Sequence, residues 1–202
     1  GFELVEHDAD QTVEGVAPEV AAADSVICVG VVEPHQYAGF SGGVKGVVIG
    51  CGSRSRIAEM HSLPMLRACQ ARVGWLDGNP FRQKFRAYAA ALPHMRGRFV
   101  VPGVDGFFDG EIQQAFDQAA AASKKHHFEP MEPVESMLLK VPAPKAVNFY
   151  QASRAATYVA LAENPAIRQG GVLYVEAACP EKIGEGAGER AFASAMARGR
   201  DR

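Results

Sequence analysis

Short apolar runs alternate along the chain with stretches of helical periodicity, and this alternation limits the fold more than any other feature. SVICVGVV (25–32) is short and β-branched, as a strand covered on both faces should be. SRIAEMHSLPMLRACQAR (55–72) has helical spacing, broken at Pro64. GNPFRQKFRAYAAAL (78–92) starts well for a helix, with Asn79 as N-cap and Pro80 at the first helical position. RFVVPGV (98–104) reads as a strand and GEIQQAFDQAAAASKKH (110–126) as a helix. FEPMEPVES (128–136), with two prolines and three acids, reads as a linker. SMLLKV (136–141), AVNFYQASRAATYVALA (146–162), GGVLYVEAA (170–178) and GERAFASAMARG (188–199) then repeat strand, helix, strand, helix. The expected class is α/β: two α/β lobes with mainly parallel sheets, residues 1–130 and 131–202, and an inter-lobe cleft. In such sheets chemistry gathers in the loops that leave the carboxyl ends of strands.

Composition narrows the partners. A net charge of −2 gives no electrostatic case for nucleic acid or an anionic membrane. No apolar run reaches the roughly 18 residues of a membrane span, and no basic-then-apolar signal peptide opens the chain. The four cysteines, 28, 51, 69 and 179, form no C-x-x-C pair, which favours reduced thiols and a cytoplasmic protein. The chain opens at Gly1 without a Met, as a fragment, a processed form or a tagged chain would.

The run 25–32 feeds directly into EPHQYAGFSGGVKG (33–46), which holds His35, Lys45 and four glycines in fourteen residues. Lys45 follows Val44 and precedes Gly46, so the Walker pattern fails; glycines at 39, 42, 43, 46 and 50 fail the dinucleotide G-x-G-x-x-G as well. An ordinary nicotinamide oxidoreductase is disfavoured on that ground. What remains is a backbone able to pass close to a ligand or take positive φ. A ligand cradle is the favoured reading over a structural turn, because His and Lys share the loop. His61 alone, on a helical stretch, would read as an ordinary solvated residue.

Together these residues resemble the signature of the nickel-pincer lactate racemase family, Pro-His-x-x-Ala-Gly-(Phe/Tyr)-Ser-Gly-Gly-x-Lys followed by a downstream His. The resemblance implies a racemase or epimerase of a 2-hydroxy acid that works by hydride transfer. It implies Lys45 as the residue joined covalently to a nickel-pincer nucleotide, a pyridinium mononucleotide with thioamide and thiocarboxylate arms. Gly42 and Gly43 are implied to lie against that cofactor, His61 to complete the nickel coordination, and His35 to be one of two acid–base histidines. GNP (78–80) and NFYQASRAA (148–156) extend the likeness. In the second stretch the family's Gln-x-x-Lys substrate pair reads Gln151 and Arg154. Cofactor-maturation enzymes are implied as partners.

Those residue types suit the chemistry. Racemising a hydroxy acid through a flat keto acid needs a hydride acceptor that no side chain supplies, and a base of near-neutral pKa for the hydroxyl proton. An arginine fork suits a carboxylate. There are departures: Ile49-Gly50 replaces a family Pro-Gly, and Arg154 replaces a lysine. The family also carries an upstream segment with a second catalytic His and an Asp/Arg motif, which the chain is expected to lack together with part of the C-terminal region. The alternative is therefore a truncated or cofactor-free paralogue that binds a small acid or a protein partner without catalysis. His7 is expected to be non-catalytic, the His126–His127 pair to serve the end of a helix, and GEGAG (184–188) to be at most a weak anion cradle.

Overall fold

The computed structural model describes residues 1–199. The chain divides into two compact units, Gly1–Pro130 and Met131–Arg202. The fold class is α/β with mostly parallel sheet elements, as the strand–helix alternation implies.

In the first unit, β1 (Ser25–Val31) runs parallel to β4 (His94–Val101), in register from Ser25 opposite His94 to Val31 opposite Val100. β4 also pairs, antiparallel, with β5 (Val104–Glu111), giving the order β1-β4-β5. The last pairing differs from the sequence reading, which ran a single strand through Pro102-Gly103. Gly103 has φ +78°, a turn conformation that reverses the chain there. β4 is central because it pairs with β1 on one side and β5 on the other, and alternate positions from Met95 to Val101 turn one of its faces into the core.

Between β1 and β4 come the small hairpin β2 (Pro34–His35) and β3 (Gly39–Phe40), then α2 (Val44–Val48), α3 (Arg54–Met60), α4 (Leu63–Leu66) and α5 (Pro80–Ala89). A short α1 (Pro18–Ala22) precedes β1. The break at Pro64 is real: Ser62 and Pro64 start a separate one-turn helix. α6 (Ile112–His127) lays Ile112, Ala115, Phe116, Ala119, Ala120 and Ser123 on β4 and β5, a stripe at helical spacing. Phe40, Phe85, Phe99 and Phe116 fill the core with Met60, Val32, Val48 and Val101. β1 departs from the expectation of a strand covered on both faces. Val26 and Cys28 pack on the core, whereas Ile27, at 69% exposed, and Val29, at 73%, stand open with Val31.

In the second unit β6 (Val134–Lys140) runs parallel to β7 (Ile167–Glu176), with α7 (Phe149–Ala160) between them and α8 (Ala187–Gly199) after. β6 already begins at Val134, so the linker is shorter than its composition suggested. The side chain of Asn148 caps α7 by accepting from the Gln151 amide at 2.9 Å.

Candidate functional site

His35 ends β2 and is half-buried. Its Nδ1 accepts from the Tyr37 amide at 3.3 Å and the Ala38 amide at 3.2 Å, so the turn of the hairpin fixes the ring. An Nδ1 that accepts places the proton of the neutral ring on Nε2.

The glycines after the hairpin have mechanical reasons to be glycine. Gly42 has φ +74°, and a Cβ there would stand 2.8 Å from Val32 Cγ2 and 2.9 Å from the Val31 carbonyl. Gly43 has φ +63°, and its Cβ would stand 2.7 Å from the Phe116 ring and 3.2 Å from Arg82 Nη2. Packing thus accounts for both side-chain faces, and only their main chain remains to meet a ligand. Gly43 is the N-cap of α2, which carries Lys45.

Lys45 is half-buried. Burial pushes its ammonium below the ordinary lysine value, and the positive charge of Arg82 adds to the effect. Arg82 is only 4% exposed, its guanidinium lies 3.9 Å from the centre of the Phe116 ring, and its Nη1 is buried without a hydrogen-bond partner. Burial lowers its own pKa to about 10, the neighbouring Arg86 adds to that, and Asp117 opposes it. Arg82 therefore stays charged at neutral pH.

Asn79 holds this arrangement together. It is fully buried, and its Oδ1 caps α5 by accepting from the amides of Phe81 at 2.9 Å and Arg82 at 3.4 Å. Its Nδ2 reaches the carbonyls of Tyr37 and Gln70 at 2.9 Å and of Trp75 at 3.0 Å. One side chain thus ties the hairpin of His35 to the start of the helix that bears Arg82. The Asn-Pro pair reveals the cap; the three distant carbonyls leave no trace in the sequence. Arg82 was not singled out from the sequence, where it reads as an ordinary helix charge.

His61 caps the C-terminal end of α3 and is exposed. Its Nδ1 donates to the Ile57 carbonyl at 2.7 Å, which leaves the lone pair on Nε2, the form a metal ligand requires. Among the described residues no three His, Cys, Asp or Glu side chains gather as a metal site. A metal held at His61 would take its other donors from a cofactor, and a partly dry lysine amine fits the covalent anchoring of such a group.

Gln151 and Arg154 belong to the second unit, three residues apart on α7. Arg154 Nη2 donates to the Tyr150 hydroxyl at 3.2 Å and stacks on that ring at 4.9 Å. In the GEGAG loop Gly184 is buried, and a Cβ there would meet the side chains of Glu189 at 2.4 Å and Asn148 at 2.8 Å. Of the other histidines, His7 Nε2 donates to the Gly52 carbonyl at 3.1 Å and His94 pairs with Glu111 at 3.2 Å. His127 donates to the Ser123 carbonyl at 3.0 Å, and His126 covers the Gly103 turn. The described cysteines are all free thiols, and no described helix is long and apolar enough to cross a membrane.

Residues 5–74 match the family model described as the lactate racemase N-terminal domain. A curated lactate racemase of Thermoanaerobacterium thermosaccharolyticum is 29% identical over 174 residues, 80% of this chain and 38% of that protein. The lactate racemase apoprotein structure from the same organism superposes with a TM-score of 0.76 at 24% identity, covering 90% of this chain and 47% of that one. A structural-genomics protein of Thermotoga maritima shares the fold at a TM-score of 0.62 and 18% identity, over 78% of this chain and 41% of its own. The chain thus spans less than half the length of the relatives it matches. The likeness first read from residues 33–61 holds: residues 5–74 match the lactate racemase N-terminal-domain model, and the chain is similar to a lactate racemase over 80% of its own length.

Proposed function

We propose that the chain is the part of a 2-hydroxy acid racemase or epimerase that anchors a nickel-pincer nucleotide on Lys45 and binds nickel through His61. The observation that carries this reading is the half-buried Lys45, whose amine burial and Arg82 hold below the ordinary lysine value. An amine must be uncharged to form an amide, and a solvated lysine is charged at neutral pH. The match of residues 5–74 and the racemase relative support the same reaction class.

The bound cofactor would supply the hydride acceptor for C2 of the substrate. Every other part falls to side chains. His61 offers Nε2 to the metal while the Ile57 carbonyl holds its Nδ1 proton. His35 handles the hydroxyl proton. In its resting hydrogen-bonded form Nε2 carries the hydrogen, so taking a proton there requires the ring to release the Tyr37 and Ala38 amides. Gln151 and Arg154 hold the substrate carboxylate, with Arg154 aligned by Tyr150. Gly42 and Gly43 offer only their main chain to the cofactor. A small 2-hydroxy acid, lactate among them, is the substrate class.

Replacing the two histidines in the full-length protein, made with its maturation enzymes, separates their roles. His61→Ala should lose nickel and keep the organic adduct. His35→Ala should keep both and turn over about 10²–10⁴-fold more slowly. Nickel lost from His35→Ala but retained in His61→Ala reverses the assignment, and unchanged turnover in both removes it.

A further inference from the structure

Helix α5 touches each of the three parts that carry His35, Lys45 and His61. At its start, Asn79 Nδ2 donates to the Tyr37 carbonyl at 2.9 Å, and the Phe81 ring stacks on Tyr37 with 6.0 Å between centres. These contacts hold the hairpin of His35. Further along, α2 packs on α5, with Arg82 against Gly43. Towards its other end, Lys84 and Tyr88 reach α3. There Glu59 accepts from Lys84 Nζ and from the Tyr88 hydroxyl, the latter at 2.5 Å. The Arg56 guanidinium lies 4.2 Å from the centre of the Tyr88 ring. Tyr88 is thus gripped twice, by its ring and by its hydroxyl, from two residues three apart on α3.

We propose that Glu59 and Tyr88 form a clasp that positions His61: they fix the end of α3 to α5, the same helix on which α2 and Lys45 rest. This rests on the reading of His61 as the nickel ligand and Lys45 as the anchor. The path from clasp to ligand is short. His61 follows Glu59 by two residues and closes α3, with its amide donating to the Ala58 carbonyl at 3.1 Å and its Nδ1 to the Ile57 carbonyl at 2.7 Å. The imidazole therefore moves with the last turn of the helix. α3 has seven residues, too few to persist without its neighbours. Met60 is buried and ties that turn to the core, and the clasp supplies a second, polar attachment.

An exposed ion pair by itself contributes little to stability. A cofactor joined at one residue whose metal is bound at another makes a different demand, because the two must be held within about 0.5 Å of one geometry. A small shift of α3 that scarcely alters stability would move the imidazole off the metal. The effect of the clasp therefore belongs in metal retention and in local opening of α3, rather than in the melting temperature.

Two measurements on the full-length protein test this. Without cofactor, hydrogen–deuterium exchange follows the amides of residues 57–61. Glu59→Ala and Tyr88→Leu should speed their exchange at least about fivefold and leave the amides of β4 unchanged. In protein made with the maturation enzymes, nickel release into a chelator should be about three- to tenfold faster, below the roughly 10–100-fold cost of losing a ligand's direct hydrogen-bond partner, while the organic adduct on Lys45 stays. Glu59→Gln keeps an accepting oxygen for both donors and should stay near wild type. Asp109→Asn, which breaks the exposed pair with Arg98, is the control and should change neither rate. Wild-type exchange in folded Glu59→Ala overturns the proposal, and so does faster exchange with unchanged nickel release, which would make the clasp structural only. If Tyr88→Leu does not fold, Glu59→Ala, at an exposed position, decides. The nickel reading fails separately, through a His61→Ala protein that keeps its nickel, and the exchange rates without cofactor still decide whether the clasp holds α3.

Discussion

Asn79 shows how far a residue can outrun its sequence signal. The Asn-Pro pair announces a helix start, and the cap is there. The three carbonyls on Nδ2 belong to residues 37, 70 and 75, which only the finished fold brings together. Asn79→Ala should cost the cap, about 1 kcal/mol, and leave buried carbonyls unpaired, for a total of about 2–4 kcal/mol in urea unfolding. Asn79→Asp keeps the capping oxygen but turns a second oxygen toward those carbonyls, so it should rescue nothing; a near-wild-type N79D would contradict the network. Lys45 carries a second prediction. Its folded pKa is depressed, so the fold disfavours the charged form. The resulting destabilisation is fully present below the folded pKa and fades as pH rises toward the unfolded value of about 10.4. Lys45→Met should therefore be more stable than wild type at pH 7, with the gap closing near pH 10.5. A gap independent of pH would assign it to packing alone.

Elements were legible where one segment contains its own signal. SVICVGVV, the Pro64 break, the α6 stripe and both parallel strands of the second unit can be read from local pattern. β5 was not, because the sequence reading carried a strand through Pro102-Gly103 instead of turning there. The glycines of the loop also have packing reasons that composition does not reveal: Val32 stands against Gly42, and Phe116 and Arg82, distant in sequence, stand against Gly43. Gly43→Ala combines a positive φ with a 2.7 Å approach to Phe116, and should cost about 2–4 kcal/mol. Gly46→Ala is the control. Its φ is ordinary, its Cβ meets only Cys28 Sγ at 3.0 Å, and alanine favours the helix, so circular dichroism melts should show a much smaller loss. Equal losses at both positions would remove the packing account of Gly43.

At the scale of the whole molecule, the parts assigned to one reaction are divided between two units. His35, Lys45 and His61 belong to the first, and Gln151 and Arg154 to the second. The family likeness was legible because its motif is local and dense, with His35, Lys45 and His61 in one short stretch. Arg82 was not, since its effect on Lys45 acts through space between α5 and α2. The open face of β1, with Ile27 and Val29, is likewise invisible in a run that reads as fully buried. The central claim is that Lys45 anchors the cofactor, and peptide mass spectrometry of the full-length protein made with its maturation enzymes tests it most directly. The account predicts an added mass on the peptide containing Lys45, absent in Lys45→Ala together with the bound nickel. An adduct that survives Lys45→Ala and maps to another residue would contradict it.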